Sequence, residues 1–399
     1  MTQEGAKYEH LYVVIEHEDG QPVPVSLEML GEARRLMDGF NSKYSSDEKV
    51  VAVVLGNQIR PLCDELIFYG ADVVIYADSP ELTHAQSLID TKVLNQIATD
   101  AALVKQYSPG SADFLKPRYM FFAADSIGRH LSSTVLASLD SGLASDINKL
   151  VIEDLDIKHE HKTKGLNLKY EKTLEMYRPD FSGFLWTTIL CLDNRNPANP
   201  REFHPQACSI IPGVFEPLER NEGRKGMVID FQPKLEPGDL KVKTLSRQLI
   251  QSAVQFDGKK SIVSFGRGIK DAPEENIQLI ESLAQVIGAE IGVSLPISKK
   301  PFPVNERESS TYMIADRVIG TSGRKVAPAL YIAIGISGAM QHIVGMKEAG
   351  FVIAINPDED CPMKDECDIF IKGRMEDVLP ALIEQLRIVK PAAVEVKKR

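Results

Sequence analysis

Again and again between residues 261 and 356 a short apolar run stops in a cluster of small or polar residues. The clusters are Phe265-Gly-Arg-Gly268, Gly292-Val-Ser294, Gly320-Thr-Ser-Gly323, Gly335-Ile-Ser-Gly338 and Asn356. Amphipathic stretches of helical period separate the runs. The pattern predicts strands at Ser261–Phe265, Glu290–Val293, Val318–Ile319, Leu330–Ile334, Phe351–Ile355 and Asp368–Ile371, with helices at Pro273–Ile287, Ser337–Lys347 and Met375–Leu386. Short strands alternating with helices make a parallel sheet, and the carboxyl ends of its strands face one crevice. A turn needs such residues too, but their recurrence at successive strand ends points to a shared ligand site.

The first half keeps the same rhythm. Leu11–Ile15, Lys49–Leu55, Asp72–Ala77 and Tyr119–Ala123 read as strands, and Leu27–Phe40, Ile59–Phe68, Leu88–Lys105 and Ser126–Leu139 as helices. From Leu150 the helices stop. Leu166–Tyr170, Phe184–Cys191 and Cys208–Ile211 predict an antiparallel extension, and the Gly/Pro-rich stretch 213–243, with only one short apolar run, predicts a linker. The expected fold is therefore α/β, with two doubly wound Rossmann-like domains. The first, 1–212, carries the antiparallel β extension; a flexible linker or hinge, 213–243, leads to a ligand-binding domain, 244–390, and a basic tail, 391–399.

Charge and cysteines remove several classes of function. The chain has 46 Lys and Arg against 56 Asp and Glu, net −10, so it lacks the basic surplus that nucleic acid requires. Cys63, Cys191, Cys208, Cys361 and Cys367 are scattered, with no C-x-x-C pair, and predict neither disulfides nor a zinc or iron–sulfur centre. The first apolar run is too short for a leader or a membrane span. A cytoplasmic protein without membrane insertion is expected.

In the crevice, glycines would let backbone N–H groups approach an anion, with hydroxyls and the start of the helix near Ser337 adding donors, as a dinucleotide pyrophosphate requires. Neither Gly320-Thr-Ser-Gly-Arg-Lys325 nor Gly335-Ile-Ser-Gly-Ala339 fits a Walker A loop, a G-x-G-x-x-G turn or a G-x-S-x-G elbow. Among weaker candidates, His159 and His161 suggest two metal ligands, but a solvated charged loop explains them better. Cys361 and Cys367 flank an acidic stretch expected to be a surface loop, and Trp186, in an apolar strand, is expected in the core.

The run Val326-Ala-Pro-Ala-Leu-Tyr-Ile-Ala-Ile-Gly-Ile-Ser-Gly-Ala-Met-Gln-His-Ile-Val-Gly-Met346, followed by Ile353-Ala-Ile-Asn-Pro-Asp358, resembles the C-terminal FAD domain of the electron transfer flavoprotein alpha subunit family. Ser126-Ile-Gly-Arg129, Ser141-Gly-Leu-Ala-Ser-Asp146, Arg178-Pro-Asp-Phe-Ser-Gly183 and Pro212-Gly-Val-Phe-Glu-Pro217 extend the resemblance through the first half. It implies FAD as cofactor, with Arg267 beside the flavin or its phosphates and Ser294 with the turn Ile319, Gly320, Thr321, Ser322 and Gly323 around the ring. Ser337, Gly338, Ala339, Met340 and Gln341 would line the phosphate and ribityl region. His342, as a cation or donor, would approach the pyrimidine end of the ring, and Asn356 the adenosine. The implied partners are an electron transfer flavoprotein beta subunit, in a heterodimer, and a flavin-dependent acyl-CoA dehydrogenase, NADH or another redox partner. No nucleophile or proton-transfer pair is needed, because the flavin carries the chemistry.

Four positions depart from the family pattern. Leu295 stands where an Arg usually follows the serine, Thr321-Ser322 replaces Gln-Thr, Arg374 replaces an acidic residue near the adenosine, and Ile211 replaces an Arg before Pro212. Losing positive charge near the ring lowers the expected potential for the first electron. The competing readings are a degenerate paralogue that binds flavin weakly or not at all and acts as a scaffold or regulatory subunit, and an NAD-dependent enzyme, disfavoured by the missing dinucleotide fingerprint.

Overall fold

The computed structural model describes residues 8–111, 113–157, 168–180, 185–195, 200–247, 254, 256, 259–299 and 304–389. They fall into two compact units, 8–247 and 254–389. His159, His161 and the tail 391–399 lie outside the described residues.

The first unit opens with β1 (Tyr8–Ile15), the hairpin β2 (His17–Glu18) and β3 (Gln21–Pro22), α1 (Pro24–Tyr44) and β4 (Val50–Gly56). Next come α2 (Pro61–Phe68), β5 (Val73–Asp78), α3 (Ser87–Ala98), α4 (Ala101–Val104), β6 (Lys116–Ala123), α5 (Ser126–Ser138) and β7 (Leu143–Ile147). β8 (Lys149–Ile157), β9 (Leu168–Asp180), β10 (Leu185–Leu190), β11 (Gln206–Ile210) and β12 (Met227–Phe231) complete it.

Seven strands form one parallel sheet in the order β12-β5-β4-β1-β6-β11-β7. Side chains alternate across a strand, so Leu11, Val13 and Ile15 of β1 enter one core with α1, while Tyr12 and Val14 enter the other with α3 and α5. Both faces are covered, which is why this central strand is apolar from Leu11 to Ile15. Each such side chain contributes about 1.5–3 kcal/mol by leaving water. α1 starts on Pro24, presents Met29, Ala33, Met37 and Phe40 to the first core, and stops at Ser45, whose φ of 51° leaves the helical region.

Several elements differ from expectation. The antiparallel extension exists as a separate sheet, β10-β9-β8, but β11 is not part of it: Cys208–Ile210 pairs parallel with β6 and β7. The helix expected over Leu88–Lys105 breaks at Thr99, and the Asp100 side chain accepts N–H groups of Ala102 and Leu103 to start α4. Trp186 is 54% exposed, against the core position expected for it: β10 edges the small sheet, and it is Ile189, not Trp186, that packs against the first core. Within 213–243, β12 pairs parallel with β5 and buries Ile229 and Phe231 in the second core.

The second unit contains β13 (Ser261–Phe265), α6 (Pro273–Ile287), β14 (Glu290–Ser294), α7 (Leu295–Lys299), α8 (Glu306–Tyr312) and β15 (Val318–Ile319). They are followed by β16 (Leu330–Ile334), α9 (Met340–Met346), β17 (Val352–Asn356), β18 (Ile369–Lys372) and α10 (Met375–Val389). All strand pairs are parallel, in the order β15-β14-β13-β16-β17-β18. α6 and α10 pack in one core, while Tyr331, Met346 and Met363 lie in the other. The two units are thus both Rossmann-like. Among the described residues no helix is long and apolar enough to cross a membrane.

Candidate functional site

In the second unit the chain builds outward from β13 to β14 and β15, then returns to the other side for β16, β17 and β18. The order reverses between β13 and β16, and a ligand crevice opens at such a switch point. Here the loops leaving the strands enclose about 850 Å³, within the range of about 300–1,000 Å³ typical of small-molecule sites. At the switch point a Cβ on Gly268 would lie 2.5 Å from the Gly335 Cα, and Gly335 takes φ 58°. Only glycine permits that approach of two backbones.

The two ends of the crevice differ in charge. Beyond β14 and β15 it is lined by Ser294, Leu295, Pro296, Val318, Ile319, Gly320, Thr321, Ser322, Gln341 and His342, none of which carries a formal charge in its ordinary neutral-pH form except a protonated histidine. Toward β17 and β18 it meets Lys270, Asp271, Asp358, Arg374 and Glu376, with Arg267 on the loop after β13. Gly320, at φ 145°, starts the turn on the uncharged side; its Cβ would fall 2.6 Å from the Gln341 carbonyl oxygen. Thr321 N–H donates to that same oxygen at 2.7 Å, tying the turn to α9.

His342 is buried, and both its ring nitrogens are engaged. The Ile319 carbonyl oxygen, 3.0 Å from Nδ1, can only accept, so Nδ1 carries the proton, and Nε2 accepts from the Tyr331 hydroxyl at 2.9 Å. Burial lowers its pKa from 6.5 to about 4. The ring is therefore neutral at pH 7, not the cation or free donor expected from sequence.

Asn356 works between loops. Its Nδ2 donates to Ile336 O at 3.0 Å and its Oδ1 accepts from Asp358 N–H at 3.0 Å, joining the exits of β16 and β17. Arg374 pairs with Asp271 at 2.5 Å and lies 3.6 Å from Glu376, which accepts from Asn276 at 2.9 Å. Leu295 both lines the crevice and packs against the core containing Ile297 and Val293.

Of the residues singled out from sequence, Arg267, Ser294, Ile319, Gly320, Thr321, Ser322, Ser337, Ala339, Gln341, His342 and Asn356 line this crevice. Gly323, Gly338 and Met340 do not belong to its lining: a Cβ on Gly323 would meet Val318 O, and one on Gly338 would meet Met363 N. The helix expected from Ser337 begins only at Met340, since Gly338 (φ 83°) takes a left-handed conformation that an α-helix does not contain. α9 is correspondingly short. Cys361, expected in a surface loop, is buried beside Met363, and Cys367 is partly buried.

Attention to small residues missed Lys270, Asp271 and Glu376. The available signal was position: residues between the end of a parallel strand and the first turn of the next helix face the crevice whatever their size.

Residues 11–176 match the model of the electron transfer flavoprotein domain, and residues 255–347 that of the electron transfer flavoprotein FAD-binding domain. An electron transfer flavoprotein subunit alpha of Thermoanaerobacterium thermosaccharolyticum is 31% identical over 386 residues, covering 96% of this chain and 99% of that one. Protein FixB of Clostridium saccharobutylicum is 32% identical over 385 residues, covering 96% and 97% of the two chains. The acryloyl-CoA reductase electron transfer subunit beta of Anaerotignum propionicum is 30% identical over 396 residues, covering 96% and 97%.

Proposed function

Because the chain belongs to the electron transfer flavoprotein alpha family, we propose that it is the FAD-carrying alpha subunit of a heterodimeric electron carrier, paired with a beta subunit. The observation that carries this reading is the division of the crevice into an uncharged end, a glycine-walled centre and a charged end. A flavin ring is planar and nearly uncharged, the pyrophosphate needs close backbone approach, and the adenosine is polar. The residues present fit FAD in that order, with the adenosine toward β17 and β18.

Bound FAD supplies the electron chemistry, and the protein binds, orients and tunes it. Ser294, Thr321 and Ser322 offer hydroxyls at the ring, and Arg267, Gly268, Ser337 and Gln341 lie where the phosphates and ribityl chain would pass. Neutral His342 contributes shape and a fixed dipole rather than a charge. Leu295 adds no cation at the ring, so this position does nothing to raise the potential of the first electron. The proposed domains are a subunit-contacting first domain, 1–212, to whose sheet the expected linker 213–243 adds β12, and the cofactor domain 244–390. A flavin-dependent acyl-CoA dehydrogenase is the proposed electron donor. A relative named for acryloyl-CoA reductase supports an acyl-CoA context.

The test is purification with the beta subunit, followed by chromatographic identification of the flavin released on denaturation and reduction of the complex by an acyl-CoA dehydrogenase with its substrate. FAD bound to this chain and reduced in that assay is the expected result. A colourless alpha chain that takes up no added FAD would overturn the reading in favour of a scaffold.

A further inference from the structure

We propose that the Arg374–Asp271 ion pair is a clasp over the adenosine half of the crevice, retaining FAD by its dinucleotide tail. This deepens, and rests on, the flavin reading above. Asp271 follows β13 and Arg374 follows β18, three places apart in the order β13-β16-β17-β18. At about 4.8 Å per strand the strands themselves are separated by roughly 14 Å. Yet Arg374 Nη2 donates to Asp271 Oδ2 at 2.5 Å. The two loops therefore reach toward each other past the exits of β16 and β17, where Ser337 and Asn356 line the crevice. Both partners of the ion pair also line it.

The position of Arg374 is electrostatically unusual. Its carbonyl accepts the N–H groups of Asp377 and Val378, so it stands at the start of α10, where the positive end of a helix disfavours a cation. Asp271 directly precedes Ala272, the cap of α6, where an anion is favoured. Asp271 and, at 3.6 Å, Glu376 offset the penalty on Arg374. The side chains are 54% and 50% exposed, so little apolar packing holds them closed. A contact of this kind opens readily to admit a ligand and closes behind it.

The experiment follows flavin release from the alpha–beta complex loaded with FAD or with FMN, read by the fluorescence of the freed flavin. Arg374→Ala is expected to release FAD roughly two- to fivefold faster at low salt, the scale of one exposed ion pair. Arg374→Asp, which places two anions together, should exceed it. High salt should bring wild type toward the Arg374→Ala rate. The double swap Arg374→Asp with Asp271→Arg should restore slow release. FMN lacks the adenosine, and its release should not change in any variant. Unaltered FAD release in both single variants, or equal acceleration of FMN, overturns the clasp alone. A wild-type complex that holds no flavin sinks the flavin reading and the clasp with it. Equal melting temperatures of the apo complexes separate these effects from folding.

Discussion

His342 illustrates how one residue's identity and its state are set by different things. Its place in the crevice follows from the run that contains it, Ser337 to Gln341 leading into His342. Its charge depends on Tyr331, on β16, and on the carbonyl of Ile319, at the end of β15, which only the folded sheet brings together. Burial holds the pKa near 4, below the ordinary 6.5. We expect the His342 ring resonances in an NMR titration to stay flat from pH 8 to pH 5; a midpoint near 6.5 would contradict the neutral assignment. Because the folded value is depressed, this histidine's contribution to stability is lost as pH falls from 6.5 toward 4. Tyr331→Phe removes the donor to Nε2 and leaves a buried acceptor unpaired. It should cost about 1–3 kcal/mol in urea unfolding.

At the scale of elements, β12 and α9 show where the chain's pattern was readable and where it was not. Strands β13 to β18 were legible because each is a short apolar run closed by turn residues, and their parallel pairing follows from the helices or loops between them. Met227–Phe231 has alternating burial, with Ile229 and Phe231 inward, but five residues amid Gly and Pro carry too little periodicity to declare a strand. It exists because the outer edge of β5 is open to pairing and the second core accepts Phe231. Phe231→Ala should therefore destabilise the first unit by about 3 kcal/mol, as for other buried aromatic truncations. An unchanged urea midpoint would mean that β12 is dispensable. The late start of α9 was hidden for the opposite reason: Ser337 resembles a helix cap, and the left-handed conformation of Gly338 prevails over that local signal. Most residues chosen for smallness line the crevice, Gly323 and Gly338 excepted, whereas Asp271 and Glu376 were missed, since a charged residue just before a helix or in its first turn looks like ordinary surface.

At the scale of the whole molecule, buried titratable groups give the two units different pH responses. In the second unit, His342 makes acid the destabilising direction. In the first, burial also lowers His10 to about 4, while it raises Asp90 to about 6 and Glu16 to about 8. Glu16 is raised first by burial and then by Asp125, whose carboxylate already accepts the N–H groups of Ile127 and Gly128 to start α5. Glu16 is therefore protonated at neutral pH. A raised folded pKa contributes stability below the unfolded value of 4.5 that is lost as pH rises through about 8. Between pH 4 and 6 His10 and Asp90 pull in opposite directions; above 6.5 only Glu16, of these four groups, is still changing. The first unit should lose roughly 2 kcal/mol between pH 6.5 and 8. Glu16→Gln keeps a donor facing Asp125 and removes the titration, so its stability should be flat over that interval and exceed wild type at pH 8. Urea unfolding of both proteins at pH 5, 6.5 and 8 measures this directly. Parallel pH profiles for the two would place the alkaline loss elsewhere and break its assignment to Glu16.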